Sequence, residues 1–260
     1  MADPAFAVTM TTKNNATTIR RSLESLGAEV RGQGEIVIVD AHSTDGTWEI
    51  LSEMTATVPE LRAISADLNR GLGRSRAVAE SRAPIVISQI DADNVYTEGS
   101  LRAAARAIAE SDDDVLLVEG EFDANPSCTR CYTWKRAAFE RIGGYPPIQY
   151  EEDLALVQHA LRAGLKVASF RVPRLGDDLK PRGPQTAYRL PVHRRLAPVV
   201  RTARLFQRLG FSYPEYVRFL WLTRRGIVRF AGASALGAYA FLSPHGPASS
   251  GGRGHYPTEG

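Results

Sequence analysis

The sequence of 260 residues contains only two cysteines, Cys128 and Cys131, and carries no pattern of a secretory signal at its start. Two cysteines cannot form a disulfide framework, which fits a reducing compartment. Their spacing suits redox or zinc chemistry, but zinc needs about four ligands and no second pair exists, so we assign them no function. Because Met1 to Pro4 offer neither a basic flank nor an apolar core, we expect a cytoplasmic protein.

Long hydrophobic runs are also missing. The apolar segment from Ile227 to Leu242 has roughly 16 residues and includes Arg229, whereas a confident membrane span needs about 20. Of all residues, 43% are hydrophobic and 23% are charged, as in an ordinary globular protein with an adequate core. The composition therefore argues against a largely disordered chain and against one that spans a membrane.

Acidic residues are scarce in one part of the chain. The net charge is +3, yet residues 181–230 hold eleven arginines and a single acid, Glu215. That segment carries about +10 and leaves about −7 for the rest, which predicts a polyanionic partner: an anionic membrane, phosphates or nucleic acid. A solvated arginine-rich face is an equally good interpretation of the charge alone.

Short apolar runs alternate with amphipathic stretches over the first ~170 residues. The predicted strands are Phe6 to Met10, Glu35 to Asp40, Leu61 to Ser65, Pro84 to Ile90 and Val115 to Glu119. The predicted helices start at Thr17 and stop at Gly27, cover Trp48 to Met54, reach Ala79 after a glycine-rich turn, and cover Glu98 to Glu110. Strands spaced by such helices predict an α/β fold with a mostly parallel sheet covered on both faces.

Two acidic motifs fall at the predicted ends of strands, where sheets of this kind bind ligands. Asp91-Ala92-Asp93 follows a hydrophobic strand directly. Paired carboxylates bind hard divalent cations, and a bound cation neutralises charge on a diphosphate leaving group. Because Asp-x-Asp is common by chance, a solvated turn is the alternative. Asp40, at the end of another strand, can accept hydrogen bonds from a base imide or a ribose hydroxyl.

The neighbouring loops allow more than one interpretation. Asp45 suits a turn and helix cap better than a ligand contact, and His42 is a loop residue. The run Asn69 to Arg76 contains a Gly-x-Gly before a helix, and glycines there let a backbone approach phosphates. Arg74 or Arg76 in that run would contact a diphosphate, or they are ordinary solvated arginines of the helix.

Five segments, in this order, resemble family 2 glycosyltransferases over roughly residues 6–170. They are Val8 to Asn14, Ser22 to Leu26, residues 36–47, Asp91-Ala92-Asp93, and the region from Trp134-Lys135-Arg136 through Gly143-Gly144-Tyr145 to Glu151-Glu152-Asp153. Ala41 and His42 depart from the usual Asp-Gly. The Gly-Leu-Gly and Asp-Ala-Asp runs also resemble dolichyl-phosphate mannosyltransferases within this family.

The resemblance implies a GT-A fold, a Rossmann-like mixed sheet flanked by helices. It implies inverting transfer of a hexose from a UDP- or GDP-linked sugar to a lipid-phosphate or saccharide acceptor, with Mg²⁺ or Mn²⁺. On the donor side, the residues so implied or expected are Thr11, Asn14, Asp40, Arg74, Asp91 and Ala92. Asp93, with Asp91, would bind the metal.

On the acceptor side the resemblance implies Asp153 as the catalytic base, with Glu152 and Gly144 beside it. A carboxylate within hydrogen-bonding reach of an acceptor hydroxyl can remove its proton during attack. The alternative is that these acids only favour the positive end of a helix.

The chain is expected to divide into a catalytic domain at 1–172, a basic and aromatic helical appendage at 173–242, and a disordered tail at 243–260. Tyr213 to Phe230 is predicted to be a basic amphipathic helix. Such helices lie in membrane interfaces, so we expect peripheral contact with the anionic cytosolic face of the cell membrane. A helical cap packed on the acceptor side is the alternative.

Two other functions explain less of the sequence. A nucleotidyltransferase that makes nucleotide-sugars usually has a glycine-rich loop after its first strand, but Thr11 to Asn15 contain no glycine. A basic nucleic-acid-binding protein would leave the ordered N-terminal motifs unexplained. We therefore expect no nucleic-acid partner.

Overall fold

The computed structural model describes residues 3–122, 125–147, 152–179, 207, 210 and 212–217, with only the backbone for 125–130 and 154. Most of the expected appendage and the whole expected tail lie outside the described residues, as does Glu151.

Eight strands and six helices alternate along most of the described chain. The strands are β1 (Phe6–Thr12), β2 (Gly34–Asp40), β3 (Leu61–Ser65), β4 (Ile85–Ile90), β5 (Asn94–Tyr96), β6 (Val115–Phe122), β7 (Asn125–Lys135) and β8 (Val167–Asp178). The helices are α1 (Ile19–Val30), α2 (Thr47–Thr57), α3 (Arg70–Glu80), α4 (Ser100–Glu110), α5 (Arg136–Arg141) and α6 (Glu152–Arg162). Residues 213–217 form a further helical turn.

The strands form one mixed sheet in the order β3-β2-β1-β4-β7-β6-β8-β5. β3, β2, β1 and β4 run parallel, whereas β7 is antiparallel to both of its neighbours and β5 is antiparallel to β8. The α/β fold with a mixed sheet is confirmed. The expectation of a mostly parallel sheet holds for β3, β2, β1 and β4 and for the pair β6 and β8, but not for β7 and β5. β7 is antiparallel to β6 because the two strands form a hairpin, and a short hairpin must be antiparallel.

The first helix continues past the residue that was expected to end it. α1 buries Ile19, Leu23 and Leu26 as the periodicity predicts, but it extends beyond Gly27 to Val30. A Cβ at Gly27 would meet only Val58 Cγ1 at 3.7 Å, an ordinary contact. A glycine in a helix costs only about 1 kcal/mol relative to alanine, and burial of the apolar face outweighs that cost.

The glycine-rich turn expected before Ala79 is helical instead. α3 starts at Arg70, and the Asn69 side chain caps it by accepting a hydrogen bond from Leu72 N at 3.0 Å. A Cβ on Gly73 would lie 2.5 Å from Thr11 Oγ1. The missing side chain therefore lets α3 pack directly on β1, which is a role in packing.

A buried carboxylate fixes the start of α4. This helix begins at Ser100, after Gly99 at a φ of +84°, and not at Glu98. Glu29 of α1 is fully buried and accepts hydrogen bonds from Leu101 N at 2.8 Å and Arg102 N at 3.0 Å. It satisfies N–H groups that the first turn of any helix leaves without a partner.

β4 contains an irregularity beside its carboxyl end. Val8 of β1 pairs with Ile87, and Met10 pairs with Ile90, so Ser88 and Gln89 together oppose one residue of β1. This is a β-bulge, which bends a strand and redirects its side chains. Gln89 at the bulge has a φ of +65°.

The sheet also extends beyond residue 172, where the catalytic domain was expected to end. β8 continues to Asp178 and pairs with β6 and β5. Among the described residues, no helix is long and apolar enough to cross a membrane.

The described part of the appendage packs on the catalytic domain. Tyr216 is fully buried in an apolar cluster with α6, and Glu215 pairs with Arg162 at 3.1 Å. Tyr216 lies in the segment predicted to be an interfacial helix, but its ring is covered by protein, which at this residue agrees with the alternative of a packed helical cap. Phe219, Trp221, Arg218, Arg224 and Arg225 lie outside the described residues.

Candidate active site

The carboxyl ends of β1, β2 and β4 meet at one edge of the sheet because the three strands are parallel. Each has a non-glycine residue with a positive φ there: Asn14 at 54°, His42 at 52° and Gln89 at 65°. No other non-glycine residue in the described ranges has one. Such residues cost about 1–3 kcal/mol each and gather at functional sites. Backbone strain is therefore concentrated where ligands bind to α/β sheets.

The loops after β1 and β2 are joined by hydrogen bonds. Asn14 N donates to Ser43 Oγ at 2.9 Å, and Thr44 N donates to Asn14 Oδ1 at 2.9 Å. Asp40 is 1% exposed; its two oxygens accept from Ser43 N at 2.9 Å and Ser43 Oγ at 2.5 Å. Asp40 therefore anchors this loop in the present conformation, and Asn14 remains exposed beside it.

Two further residues of this edge face protein. The Thr11 hydroxyl donates to Val39 O at 3.2 Å and lies against Gly73. Asp45, expected as a helix cap, accepts hydrogen bonds from Thr47 N at 3.1 Å and Ala16 N at 3.0 Å. Burial alone would raise the pKa of Asp45. These hydrogen bonds and a further one from the Thr47 hydroxyl outweigh burial and lower that pKa.

Arg74 of α3 joins the end of β4 to the start of α6. Its side chain is 6% exposed, and its guanidinium lies 3.1 Å from Asp91 Oδ1 through Nη2 and 3.2 Å from Glu152 Oε1 through Nε. The Tyr145 ring lies below it, with the guanidinium carbon 5.9 Å from the ring centroid. Arg74 is thus neither a solvated arginine nor open to a diphosphate in this conformation.

Charge and burial act in opposite directions on this group. Burial alone would lower the pKa of Arg74, but the charges of Asp91 and Glu152 outweigh it and raise that pKa. Burial raises the pKa of Glu152, which is 2% exposed, and Arg74 offsets part of that rise. The pair therefore depends on both partners being present.

Asp153 lies next to Glu152 in the first turn of α6 and is half-buried. Its Oδ2 accepts a hydrogen bond of 2.6 Å from Gln89 Nε2. Sequence reasoning missed Gln89. The sequence did show a long polar side chain near the end of an apolar strand. The alternation of side chains along a regular strand could not predict its direction, because β4 has a bulge at this residue.

The three residues of the acidic triplet differ in burial: Ala92 is buried, and the two aspartates are partly exposed. Ala92 is buried in the core, so only its backbone is available to a ligand. Asp91 keeps 44% of its side chain exposed, and Asp93 is half-buried. The carbonyl of Asp93 accepts a hydrogen bond from Leu179 N at 2.6 Å, which places the end of β8 beside the triplet.

Gly144 serves the packing of the loop that follows α5. Its φ is +77°, and a Cβ there would lie 2.8 Å from Ser75 Oγ. Tyr145 N donates to Ser75 Oγ at 2.8 Å, and Asn69 Nδ2 donates to Pro147 O at 3.1 Å. α3 therefore holds this loop as well as the acids around Arg74.

The described residues contain no group of three or more His, Cys, Asp or Glu side chains close enough to hold a metal ion by themselves. Asp91 and Asp93 are the partly exposed carboxylates at the end of β4. Cys131 is buried, and burial together with Asp91 raises the pKa of its thiol, so it is not a reactive thiolate.

Residues 7–152 match the family described as Glycosyl transferase family 2. Curated relatives from Mycobacterium bovis and Mycobacterium tuberculosis, described as PGL/p-HBAD biosynthesis glycosyltransferases, are 26% identical over 165 residues. The aligned region covers 56% of this chain and 64% of theirs, so the chain spans less than two thirds of the length of these relatives.

Solved structures share the fold. The mannosyltransferase PcManGT from Pyrobaculum calidifontis, in complex with GDP-Man and Mn²⁺, has a TM-score of 0.67 at 19% identity, over 92% of this chain and 74% of that one. S. aureus TarS 1–349 in complex with UDP-GlcNAc has a TM-score of 0.62 at 16% identity, over 90% and 72%. The mixed sheet with flanking helices is the GT-A fold of these glycosyltransferases.

Arg74→Met should destabilise the protein by about 3 kcal/mol at pH 7, because it leaves buried Glu152 without its cation. Without Arg74 the folded-state pKa of Glu152 lies still further above its unfolded value. The protonated form is then favoured in the fold, and stability falls as the pH rises. Urea unfolding should therefore show a larger loss at pH 8 than at pH 5.

Arg20→Met is the matched control, since Arg20 pairs with Glu53 while both side chains are exposed, at 43% and 62%. It should leave the unfolding midpoint nearly unchanged. Equal effects of the two substitutions, or no effect of pH on Arg74→Met, would contradict the buried pairing.

Proposed function

The chain belongs to glycosyl transferase family 2, and from that membership we propose that it moves a hexose with inversion from a UDP- or GDP-linked sugar to a saccharide or lipid-phosphate acceptor. One observation carries the proposal. The acid pair at the end of β4 and the acid pair at the start of α6 approach each other around Arg74. One pair suits the donor and the other suits the acceptor.

The donor would bind at the carboxyl edge of β1, β2 and β4. The solved relatives that carry GDP-Man or UDP-GlcNAc in their descriptions support a nucleotide-sugar. The joined loops after β1 and β2, which include Thr11 and Asn14, would form the wall for the nucleotide. Asp40 would hold the base or ribose, either by exchanging its bonds to Ser43 for bonds to the ligand or by fixing the loop that makes them.

A divalent cation, Mg²⁺ or Mn²⁺, fits the residues at the end of β4. Asp93 would bind it together with Asp91, since carboxylate oxygens are hard ligands of the kind these ions prefer. Asp91 and Asp93 would hold the cation with only two carboxylates, which is typical of Mg²⁺ sites that also take oxygens of a bound phosphate. When bound, the cation supplies charge neutralisation for the departing diphosphate.

Asp153 would act on the acceptor. As the acceptor oxygen forms its bond to the anomeric carbon, the bond from that carbon to the diphosphate breaks and the acceptor proton passes to the Asp153 carboxylate. A single displacement of this kind inverts the anomeric centre. A phosphate acceptor arrives already ionised, and Asp153 would then orient it without removing a proton.

A panel of UDP-glucose, UDP-galactose, UDP-GlcNAc, GDP-mannose and dTDP-rhamnose, each with and without Mn²⁺, tests the donor site. A donor at a hundredfold excess over its Kd stabilises the fold by about 2.7 kcal/mol. The melting midpoint should therefore rise by roughly 5 °C or more with one donor and Mn²⁺. Asp93→Asn should remove the part of the shift that depends on Mn²⁺. Absence of any shift across the panel would refute a nucleotide-sugar site.

Asp153→Asn should lower kcat for release of the nucleoside diphosphate by about 10²–10⁴-fold, because the amide cannot accept the acceptor proton. The donor-induced thermal shift should persist. Asp112→Asn, an exposed acid after α4, is the control and should retain wild-type activity. A loss of only a few-fold in Asp153→Asn would show that this residue is not the base.

Membrane contact is proposed for the arginine-rich C-terminal part, since lipid-linked acceptors are held at a membrane. Replacing Arg218, Arg224 and Arg225 with Gln should weaken sedimentation with phosphatidylserine vesicles by about tenfold or more, because each arginine contributes about 1 kcal/mol at an anionic surface. Pure phosphatidylcholine vesicles are the control. Equal binding of wild type and variant to both vesicle types would contradict the proposal.

A further inference from the structure

The bulge in β4 lies just before the acidic triplet. Regular alternation would place Gln89 on the core face of Ile87 and would turn Ile90 to the opposite face. The extra residue reverses this order, because Ile87 and Ile90 are both buried in the same core cluster. A shift of one residue exchanges the faces of a strand, so the bulge returns Ile90 to that core and turns Gln89 away from it.

Gln89 occupies this position at a conformational cost. Its φ of +65° lies in the left-handed region, which glycine adopts freely and longer side chains do not. Glycine would satisfy the bulge with less strain. The backbone conformation therefore does not explain why this residue is a glutamine, and the reason must lie in a contact of its side chain.

The Gln89 side chain reaches across to α6. Its Nε2 donates to Asp153 Oδ2 at 2.6 Å, while its Oε1 is buried and has no hydrogen-bond partner among the described residues. An ionised carboxylate only accepts hydrogen bonds, so the amide must turn its nitrogen toward Asp153. A short bond between an amide and a charged carboxylate belongs to the stronger class of hydrogen bonds.

We propose that Gln89 is a positioning residue for the reaction: by holding Oδ2 of Asp153 it fixes the carboxylate so that Oδ1 faces the acceptor hydroxyl. The inference rests on the proposed base role of Asp153. It links the two halves of the site, because the bulge that directs Gln89 to the base lies just before Asp91 and Asp93. Ser88, the other residue of the bulge, instead accepts hydrogen bonds from Trp134 and Tyr145 in the core.

Three variants separate the backbone from the side chain. Gln89→Gly keeps the left-handed backbone and removes the amide, Gln89→Leu removes the amide but keeps bulk, and Gln89→Asn tolerates the backbone and retains a shorter amide. Gln158→Leu, which replaces a buried glutamine on the same helix as Asp153, is the control. Each is assayed for release of nucleoside diphosphate from the nucleotide-sugar that gives the largest thermal shift in the panel.

Gln89→Gly and Gln89→Leu should lower kcat by about 10–100-fold, because misplacing a catalytic group by about 1 Å has effects of that size. The KM for the donor should change less than about twofold, since the amide touches the base and not the donor. Gln89→Asn should recover part of kcat. The melting midpoint of Gln89→Gly should not fall below that of the wild type, which excludes unfolding as the cause.

The effect of Gln89→Gly in a protein that already carries Asp153→Asn shows whether Gln89 acts through Asp153. If Gln89 acts through Asp153, the loss caused by Gln89→Gly should disappear in the double variant. Full kcat in Gln89→Gly, beside a large loss in Asp153→Asn, would overturn the positioning role and leave the proposed base intact. An undiminished loss in the double variant would overturn it as well. A loss of only a few-fold in Asp153→Asn would remove the base role and this inference together.

Discussion

The buried guanidinium of Arg74 is the constraint around which the site is organised. A charged group with 6% of its side chain exposed must find its partners inside the protein, and here they come from two different elements, β4 and α6. Buried ion pairs of this kind often contribute little net stability, but they penalise arrangements that separate the partners. Arg74 thereby keeps the end of β4, which Asp91 follows, beside the helix that begins with Glu152 and Asp153. α3, which carries Arg74, can lie close enough because Gly73 packs directly on β1.

Local strain adds to this long-range constraint. The residues with left-handed backbone, Asn14, His42 and Gln89, lie at the same edge of the sheet, and two of them make identified hydrogen bonds to neighbouring site elements. Asn14 joins two loops, and Gln89 joins a strand to a helix. The rest of the sheet, in which β1 and β2 are almost entirely buried, supplies the rigid base that keeps such conformations populated. Hydrogen bonds within the protein therefore hold the loops after β1 and β2 to each other and hold the bulge of β4 to the start of α6.

Much of this fold could be predicted from local patterns. The strands that carry Asp40 and Asp91 and the helices between them follow from apolar periodicity, and the order of the acidic motifs indicated the family. β7 was missed because its sequence is mostly polar and contains no apolar run, and β8 because its partners β6 and β5 are distant in sequence. α3 was misjudged because glycines usually interrupt helices. The partners of Arg74, the burial of Tyr216 and the hydrogen bond of Gln89 depend on distances between elements. A single sequence does not contain those distances.

We expect the carboxyl edge of β4 to bind the diphosphate of the donor through a divalent cation. Anomalous diffraction at the manganese edge, from crystals grown with Mn²⁺ and the nucleoside diphosphate of the preferred donor, can locate that cation. A manganese peak should then lie at coordination distance from an Asp93 carboxylate oxygen and beside the diphosphate. A bound nucleotide whose metal lies away from Asp91 and Asp93 would contradict it.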